Sequence, residues 1–303
     1  MRLGVTGATG LIGSALIRAL DPSRHEIVVL TRNPEKALRL FPWAQCVVWD
    51  PASDLPFDPA LENLDAMVHL AGESIAAGRW NARRKEAIGK SRVAGTRNLV
   101  KLLEQLENPP LVLVSGSAVG YYRSQEDKPL EEGEPSAEDF LGQVCQQWEG
   151  EAERAAEFGT RVVLLRTGLV LSAQGGALAQ MLFPFKMFVG GPLASGLQWM
   201  SWIHIQDQIG AIQHVLANPE VQGPVNLTAP HPVTNEEFSK TLASVLRRPA
   251  LFRVPASVLR LLLGEMAEAL LLGGQRVIPG KLQQSGYEFQ YPVLRGAFEN
   301  LLT

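Results

Sequence analysis

The sequence predicts an α/β protein with a Rossmann-like, doubly wound parallel sheet and a smaller, mostly helical C-terminal lobe. Through the first two thirds of the chain, runs of Val, Ile and Leu of strand length alternate with helical patterns. The first run leads through the glycine-rich turn VTGATGLIG into a helix. Because strands that are apolar throughout need cover on both faces, this alternation indicates a parallel sheet between two layers of helices.

The strands and helices follow one another in a regular order. The predicted strands are RLGVTG, HEIVVLTR, QCVVWD, DAMVHLAG, PLVLVSGS and TRVVLLRTGLVL. Helical patterns lie in GLIGSALIRAL, in PEKALRLF, in a long segment that ends at Leu106 and in DFLGQVCQQWE. We therefore assign residues 1–172 to the Rossmann domain, with further contributions to the sheet from residues 200–228.

The second part of the chain has a different pattern. After about residue 172 the alternation weakens into a stretch rich in glycine and proline, and from Pro230 onward helices dominate. Thr234 and Glu237 have the spacing of a capping box at the start of one helix. These features predict a substrate lobe over residues 173–303, which includes a helical domain over residues 248–296.

Composition excludes several classes of partner. With 46% hydrophobic residues, 19% charged residues and a net charge of -3, the chain has no excess of cations that would call for nucleic acid. The most apolar segment, from Pro255 to Gly274, contains three charged residues and is short for a bilayer span, so we expect a buried helix there and no membrane span.

The two cysteines, Cys46 and Cys145, have no metal-ligand spacing. They predict no metal site and a reducing compartment, the cytoplasm or a plastid stroma.

The glycine-rich turn predicts a nucleotide site. Gly7, Gly10 and Gly13 follow the first strand and open the first helix, where missing side chains allow the backbone to approach a pyrophosphate. The alternative is a glycine-rich turn without a ligand. The strand before the motif and the helix after it favour nucleotide binding.

The end of the second strand selects between NAD and NADP. This strand ends in Thr31 and Arg32, and Arg32 lies 19 positions after Gly13, close to the spacing of the residue that contacts the ribose. A guanidinium matches the geometry of a 2′-phosphate. We therefore predict NADP, with a solvent-facing arginine as the alternative.

Four motifs resemble the extended short-chain dehydrogenase/reductase superfamily. They are TGATGLIG, LAGES from Leu70 to Ser74, SGSAVGYY from Ser115 to Tyr122, and WIHIQD from Trp202 to Asp207. More narrowly, GRWNARRKEAIGKSR, GGPLASGLQWMSWIHIQD and GQRVIPGKLQQSGYEF resemble the NAD-dependent epimerase/dehydratase-like family with a C-terminal helical domain. Proteins of that family are labelled nucleoside-diphosphate sugar epimerases or cell-division inhibitors. The resemblance extends over essentially the whole chain.

The resemblance implies a set of cofactor contacts. The pyrophosphate would lie against Gly7, Ala8, Thr9, Gly10, Leu11, Ile12 and Gly13. Asp50 would lie near the adenine, although it precedes Pro51 and could instead begin a turn. The nicotinamide ribose would face Leu70, Ala71 and Gly72, with Glu73 at the entrance of the pocket and Arg92 in place of the usual asparagine.

The resemblance also exposes a missing catalytic pair. Ser117 fits the serine that binds the substrate oxygen, but Leu141 and Cys145 stand where the superfamily has a tyrosine and a lysine. Leucine has no proton to transfer, and a neutral thiol cannot stabilise a phenolate. Tyr121 could supply a phenol, and Cys145 or Glu73 could relay a proton. Packing with an exposed hydroxyl is the favoured alternative for Tyr121 and Tyr122, because no lysine of matching spacing lies beside them.

Three further features have two interpretations each. The long helix carries basic residues that form either a solvated face or a site for an anionic substrate. They are Arg79, Arg83, Arg84, Lys85, Lys90, Arg92, Arg97 and Lys101. The acidic run from Glu126 to Asp139 is expected to be a solvated loop or a lid. His204 is expected to have a structural role.

Two functions remain open from the sequence. The first is an NADP-binding, epimerase-like oxidoreductase that acts on a carbonyl or nucleotide-sugar substrate, with Ser117 orienting the substrate. The second is a catalytically weak NADP-binding redox sensor or regulator, which would act through a protein partner in cell or plastid division. A homodimer is a further expectation, since helices that flank such sheets often form dimer interfaces.

Overall fold

The computed structural model describes residues 1–53, 58–124 and 127–303, and it confirms the predicted fold class. Seven parallel strands form the central sheet in the order β3-β2-β1-β4-β5-β6-β10. These strands are β1 (Arg2–Thr6), β2 (Glu26–Thr31), β3 (Gln45–Val48), β4 (Ala66–His69), β5 (Val112–Ala118), β6 (Arg161–Thr167) and β10 (Gly223–Leu227).

Helices cover the sheet and build the lobe. In the first part of the chain they are α1 (Leu11–Ala19), α2 (Pro34–Leu40), α3 (Ala82–Glu104), α4 (Phe140–Glu153), α5 (Gly176–Lys186) and α6 (Ile205–Ala217). In the second part they are α7 (Asn235–Leu246), α8 (Ala256–Leu263), α9 (Glu265–Ala267), α10 (Gly280–Gln284) and α11 (Leu294–Leu302).

Alternate side chains of each strand pack into two different cores. Along β5, Val112 and Val114 join the cluster that contains α1 and α6, whereas Leu113 joins the cluster that contains α3. Side chains alternate between the two faces of a strand, so this division is the signature of a doubly wound sheet. It explains why the strand sequences are apolar throughout.

Two small sheets and a third core form the lobe. β7 (Leu169–Leu171) pairs with β9 (Trp202–His204), and β8 (Trp199–Met200) pairs with β11 (Val233–Thr234). From the segment 200–228, β10 joins the central sheet beside β6, whereas β9 lies outside it. The third core packs α7 against α11, with Phe238 and Phe298 edge to face.

The segment from Pro255 to Gly274 is not the single buried helix that the sequence suggested. The helix breaks at Gly264, whose φ of +61° is easily adopted only by glycine. Leu259 of α8 is buried, but Leu261 is 76% exposed and Leu262 64% exposed. The apolar composition therefore combines a buried face with an outward-facing one, which a run of leucines in the sequence cannot distinguish.

The acidic run is docked onto the lobe rather than solvated throughout. Its Leu130 exchanges backbone hydrogen bonds with the segment around Val277. Glu132 is buried, and its Oε1 accepts from the backbone N–H groups of Asn226 and Lys281, at 3.1 Å each. The expectation of a solvated loop is wrong for this part, because the carboxylate satisfies two buried donors. Glu126 lies outside the described residues.

Within residues 1–53, 58–124 and 127–303, no helix combines the length and the apolar character that a bilayer span requires.

Candidate functional site

The glycine loop forms a close-packed cradle at the start of α1. Gly7 has a φ of +69°, and a Cβ there would lie 2.6 Å from the carbonyl carbon of Leu70. A Cβ on Gly13 would collide with the carbonyl oxygen of Gly7. Gly10 precedes α1, whose first turn has no side-chain cap and no acidic residue. The first turn of α1 therefore has free backbone N–H donors, the positive end of the helix dipole and no side chain in the way. These properties fit a pyrophosphate.

Arg32 directly follows β2, as predicted. It faces Glu73, which lies in the segment after β4. The Arg32 guanidinium is 67% exposed and lies 3.6 Å from one Glu73 carboxylate oxygen, while Arg84 lies 3.7 Å from the other. An exposed pair at this distance contributes little, so Arg32 can exchange the carboxylate for a phosphate at small cost. Thr31 accepts a hydrogen bond from the backbone of Asn33, which caps α2.

Asp50 begins a turn. β3 ends at Val48, two residues earlier than the sequence suggested, and Asp50 Oδ1 accepts from the N–H of Ala52 at 3.0 Å. The Asp50 carbonyl also accepts from Ser53. The turn alternative therefore describes its local structure, and a contact with adenine stays a prediction.

A buried Thr6–His69–Thr96 chain holds the end of β4 against the glycine loop. Thr6 Oγ1 accepts from the N–H groups of Leu70 and Ala71 and lies 2.7 Å from His69 Nδ1. Because Thr6 already accepts twice, its own proton donates to Nδ1, and Nε2 donates to Thr96 Oγ1 at 3.0 Å. Burial lowers the pKa of His69 to about 4, so the ring is neutral. Sequence reasoning missed this chain, which joins residues far apart in the sequence.

Arg92 lies beside the segment that was expected to line the nicotinamide ribose. Its guanidinium would be 3.5 Å from a Cβ on Gly72 and donates to the Glu73 carbonyl at 3.0 Å. It also lies over the ring of Trp148, 5.2 Å from the centroid. Burial lowers the pKa of Arg92, but a guanidinium stays protonated in proteins. A fixed positive charge therefore stands close to Gly72.

Ser117 belongs to a buried ionic network. Its Oγ donates to Glu149 Oε1 at 2.6 Å. The two carboxylate oxygens of Glu149 accept from Arg166 Nε at 2.8 Å and from its terminal nitrogen at 2.7 Å. Sequence reasoning missed Glu149 and Arg166. The available signal was a charged residue inside the apolar strand RVVLLRT, because such residues are almost never buried unpaired.

Arg166 is a cation beside the two tyrosines. The sequence showed no lysine of matching spacing near them and gave no sign of this arginine contact. Its guanidinium carbon lies 3.4 Å from the ring centroid of Tyr121, and its Nη1 donates to the Tyr122 hydroxyl at 2.9 Å. Tyr122 donates to Asn226 at 2.7 Å, and burial raises its pKa to about 12. Tyr122 therefore packs, as favoured from the sequence, but its hydroxyl is buried and not exposed, whereas Tyr121 is partly exposed.

The helix α4 carries Leu141 and Cys145 at the positions where the resemblance implies a tyrosine and a lysine. Leu141 packs in an apolar cluster with Trp80 and Ile88 from the Rossmann domain and with Met266 and Leu270 from the lobe. Cys145 is 4% exposed, and burial, together with the charge of Glu149, raises its pKa to about 12. The burial and the raised pKa argue against a relay through Cys145, because a buried neutral thiol exchanges protons poorly, and the relay stays a prediction.

The remaining candidates have mainly structural roles. His204 caps α6 by accepting from the Gln206 N–H and stacks on Tyr291 at 4.0 Å between centroids. Most of the basic helix is solvated or ion-paired, and among its cations Arg84 and Arg92 turn towards Glu73. No group of three or more potential ligands for a metal occurs within the part of the chain that the structure describes.

Comparisons with known proteins agree over the whole chain. The family model described as "NAD dependent epimerase/dehydratase family" matches residues 3–227, and a domain of unknown function, DUF1731, matches residues 254–301. The chloroplastic epimerase family protein SDR39U1 homolog of Arabidopsis thaliana is 41% identical, over 100% of this chain and 87% of that protein.

Two solved structures are also similar. The human epimerase family protein SDR39U1, solved with NADPH, is 35% identical with a TM-score of 0.89, and the match covers 99% of both chains. The nucleoside-diphosphate sugar epimerase from Corynebacterium glutamicum is 31% identical with a TM-score of 0.79, over 100% of this chain and 58% of that one.

Proposed function

The chain belongs to the NAD dependent epimerase/dehydratase family, and from this we propose that it is an NADP-binding, epimerase-like oxidoreductase. Its substrate would be a carbonyl compound or a nucleotide sugar. The observation that carries the proposal is the buried group of Ser117, Glu149 and Arg166 beside the partly exposed Tyr121. Binding a nucleotide alone would not require this group at the end of β5.

The cofactor assignment has two supports. The cradle has no room for a side chain at Gly7 or Gly13 and little at Gly10, and Arg32 stands at the end of β2 with an exposed guanidinium. The similar human protein was solved with NADPH. We propose that residues 7–13 hold the pyrophosphate, that Thr31 and Arg32 hold the 2′-phosphate, and that Asp50 lies near the adenine. Residues 70–73 and Arg92 would line the nicotinamide side.

The chain's own residues would orient the substrate and handle its proton. A bound nicotinamide supplies or accepts the hydride. Ser117 donates its proton to Glu149 when no substrate is bound; with a substrate, the same Oγ would donate to a carbonyl oxygen or accept from a hydroxyl. Tyr121 would exchange the proton, with Arg166 fixing its ring by lying over it.

We expect Ser117→Ala and Tyr121→Phe to lower turnover by about 100-fold or more, because each removes a group that contacts the reacting oxygen. The measurement is NADPH oxidation with a panel of carbonyl compounds and nucleotide sugars, beside NADPH affinity by fluorescence. Affinity should not change. Cys145→Ser is the matched control and should retain full turnover. Unchanged turnover in Ser117→Ala would remove the serine from the mechanism.

A second candidate function is favoured by Leu141. The missing tyrosine is replaced by a side chain that packs against both parts of the molecule, so the loss is built into the fold. A catalytically weak redox sensor or regulator, acting through a protein partner in cell or plastid division, would bind NADPH without turnover. Partner affinity would then depend on nucleotide occupancy, by linkage. Equal partner affinity with and without NADPH contradicts this alternative.

A further inference from the structure

A patch of large apolar side chains lies exposed at the end of α5 and in the segment before α8. We name it the lobe patch, and it consists of Phe183, Met187, Phe188, Val189, Leu251 and Phe252. Leu251 is 81% exposed and Phe183 71% exposed. Single exposed apolar residues are common, but six on two neighbouring segments indicate a surface that binds something.

Backbone contacts make the two segments of the patch one surface. A Cβ on Gly191 would collide with the carbonyl oxygen of Phe252, so the chains touch there. Two residues further, the Val254 N–H donates to the Pro192 carbonyl at 3.0 Å. Arg248 lies over the ring of Phe188, 4.7 Å from its centroid. The patch is therefore held in place by main-chain hydrogen bonds.

The charge around the lobe patch is mainly positive. Residues 158–206 and 238–264, which contain both segments, include no Asp or Glu, although the whole chain has a net charge of -3. Four exposed cations flank the apolar side chains, and they are Lys186, Arg247, Arg248 and Arg253. Arg253 pairs with Glu236, and the other three belong to no ion pair identified in the described residues. The surface is complementary to dense negative charge.

The helix that follows also exposes apolar side chains. α8 turns Val258, Leu261 and Leu262 outward, whereas its exposed Arg260 is paired with Glu268 and adds no free positive charge. An amphipathic helix whose apolar side faces out is typical of proteins that lie in a membrane interface. Its position directly after Leu251 and Phe252 extends the apolar surface along the chain.

We propose that the lobe patch docks on the surface of an anionic lipid membrane. The cations would contact the headgroups while the phenylalanine and leucine side chains enter the boundary of the acyl region. A bilayer of anionic lipid offers dense negative charge and an apolar phase together, which matches both properties of the patch. The contact is peripheral and reversible, and the nucleotide groove plays no part in it.

The test is flotation with vesicles of equal parts phosphatidylglycerol and phosphatidylcholine, against vesicles of phosphatidylcholine alone. The protein should float with the anionic vesicles, and added salt should release it. Arg247→Glu combined with Arg248→Glu should lower the apparent affinity by about 30-fold or more, given about 1 kcal/mol for each cation near the surface. Lys90→Glu with Lys101→Glu, an equal charge change on the exposed side of α3, should have little effect.

A second pair of variants separates burial of apolar groups from charge. Leu251→Ser should lower affinity by about tenfold or more, because a leucine loses its place in the acyl boundary. Leu111→Ser, at a residue 75% exposed outside the patch, is its control. Thermal unfolding should show all variants folded. Equal flotation with both vesicle types, or binding unchanged in the patch variants, overturns the proposal. A dimer in sedimentation analysis that Leu251→Ser dissociates would also overturn it and assign the patch to a second copy.

Discussion

Single residues hold the candidate site together at the end of β5 and at the glycine loop. Arg166 pairs with Glu149, stacks on Tyr121 and binds Tyr122, so one guanidinium organises the end of β5. His69 supports the glycine loop through hydrogen bonds to Thr6 and Thr96, and its ring packs edge to face with Trp49. Neither role could be predicted from the sequence, because each depends on partners that only the fold brings near.

His69 should make the protein sensitive to acid. Its pKa is lowered from 6.5 to about 4 by burial, so between these values the unfolded chain takes up a proton that the folded protein resists. Stability therefore falls as the pH drops from 6.5 towards 4, by about 3 kcal/mol from this residue.

Urea unfolding at both ends of that pH range would measure the effect. His69→Gln, which retains one hydrogen bond but cannot titrate, should be less stable at neutral pH and should lose less stability on acidification. A loss equal to that of the wild-type protein would show that another group is responsible.

At the scale of elements, the sequence predicted what depends on local pattern. Each of the six strand patterns contains a strand of the central sheet, because buried parallel strands need continuous apolar residues. The last pattern divides at Gly168 into β6 and β7, and β7 belongs to a different sheet. The end of β3 and the form of α8 differed from the prediction, since a turn at Asp50 and an outward face on α8 depend on what packs nearby.

In the candidate site, too, local motifs could be predicted and contacts between distant residues could not. The glycine loop and Arg32 were visible as motifs, whereas Glu149 looked like any polar helix residue.

The buried ion pair between Glu149 of α4 and Arg166 of β6 should contribute strongly to the free energy of unfolding. Glu149→Gln removes the charge that Arg166 faces while both side chains are buried, which leaves a buried cation without its counterion. We expect a loss of about 3 to 5 kcal/mol in unfolding free energy. Glu86→Gln, which breaks the exposed pair with Lys90, should cost less than about 0.5 kcal/mol. Similar losses in both variants, measured by urea unfolding, would contradict the assignment.

At the scale of the molecule, the lobe closes over the Rossmann domain through the cluster around Leu141. Trp80, Met266 and Leu270 meet there, so the position of the missing tyrosine became part of the contact between the two parts. The domain boundary near residue 172, the homodimer and a location in the cytoplasm or a plastid stroma remain predictions. None of them follows from the fold of one chain.

The central claim, an NADP site built by the glycine loop and Arg32, is tested most directly by titrating the protein with NADPH and NADH. We expect a clear preference for NADPH that Arg32→Asp lowers by about 100-fold or more, because a charge-assisted pair becomes a repulsive one. Arg24→Asp, at the opposite end of β2, is the control and should change nothing. Equal affinity for both nucleotides, or a preference that survives Arg32→Asp, would contradict the account.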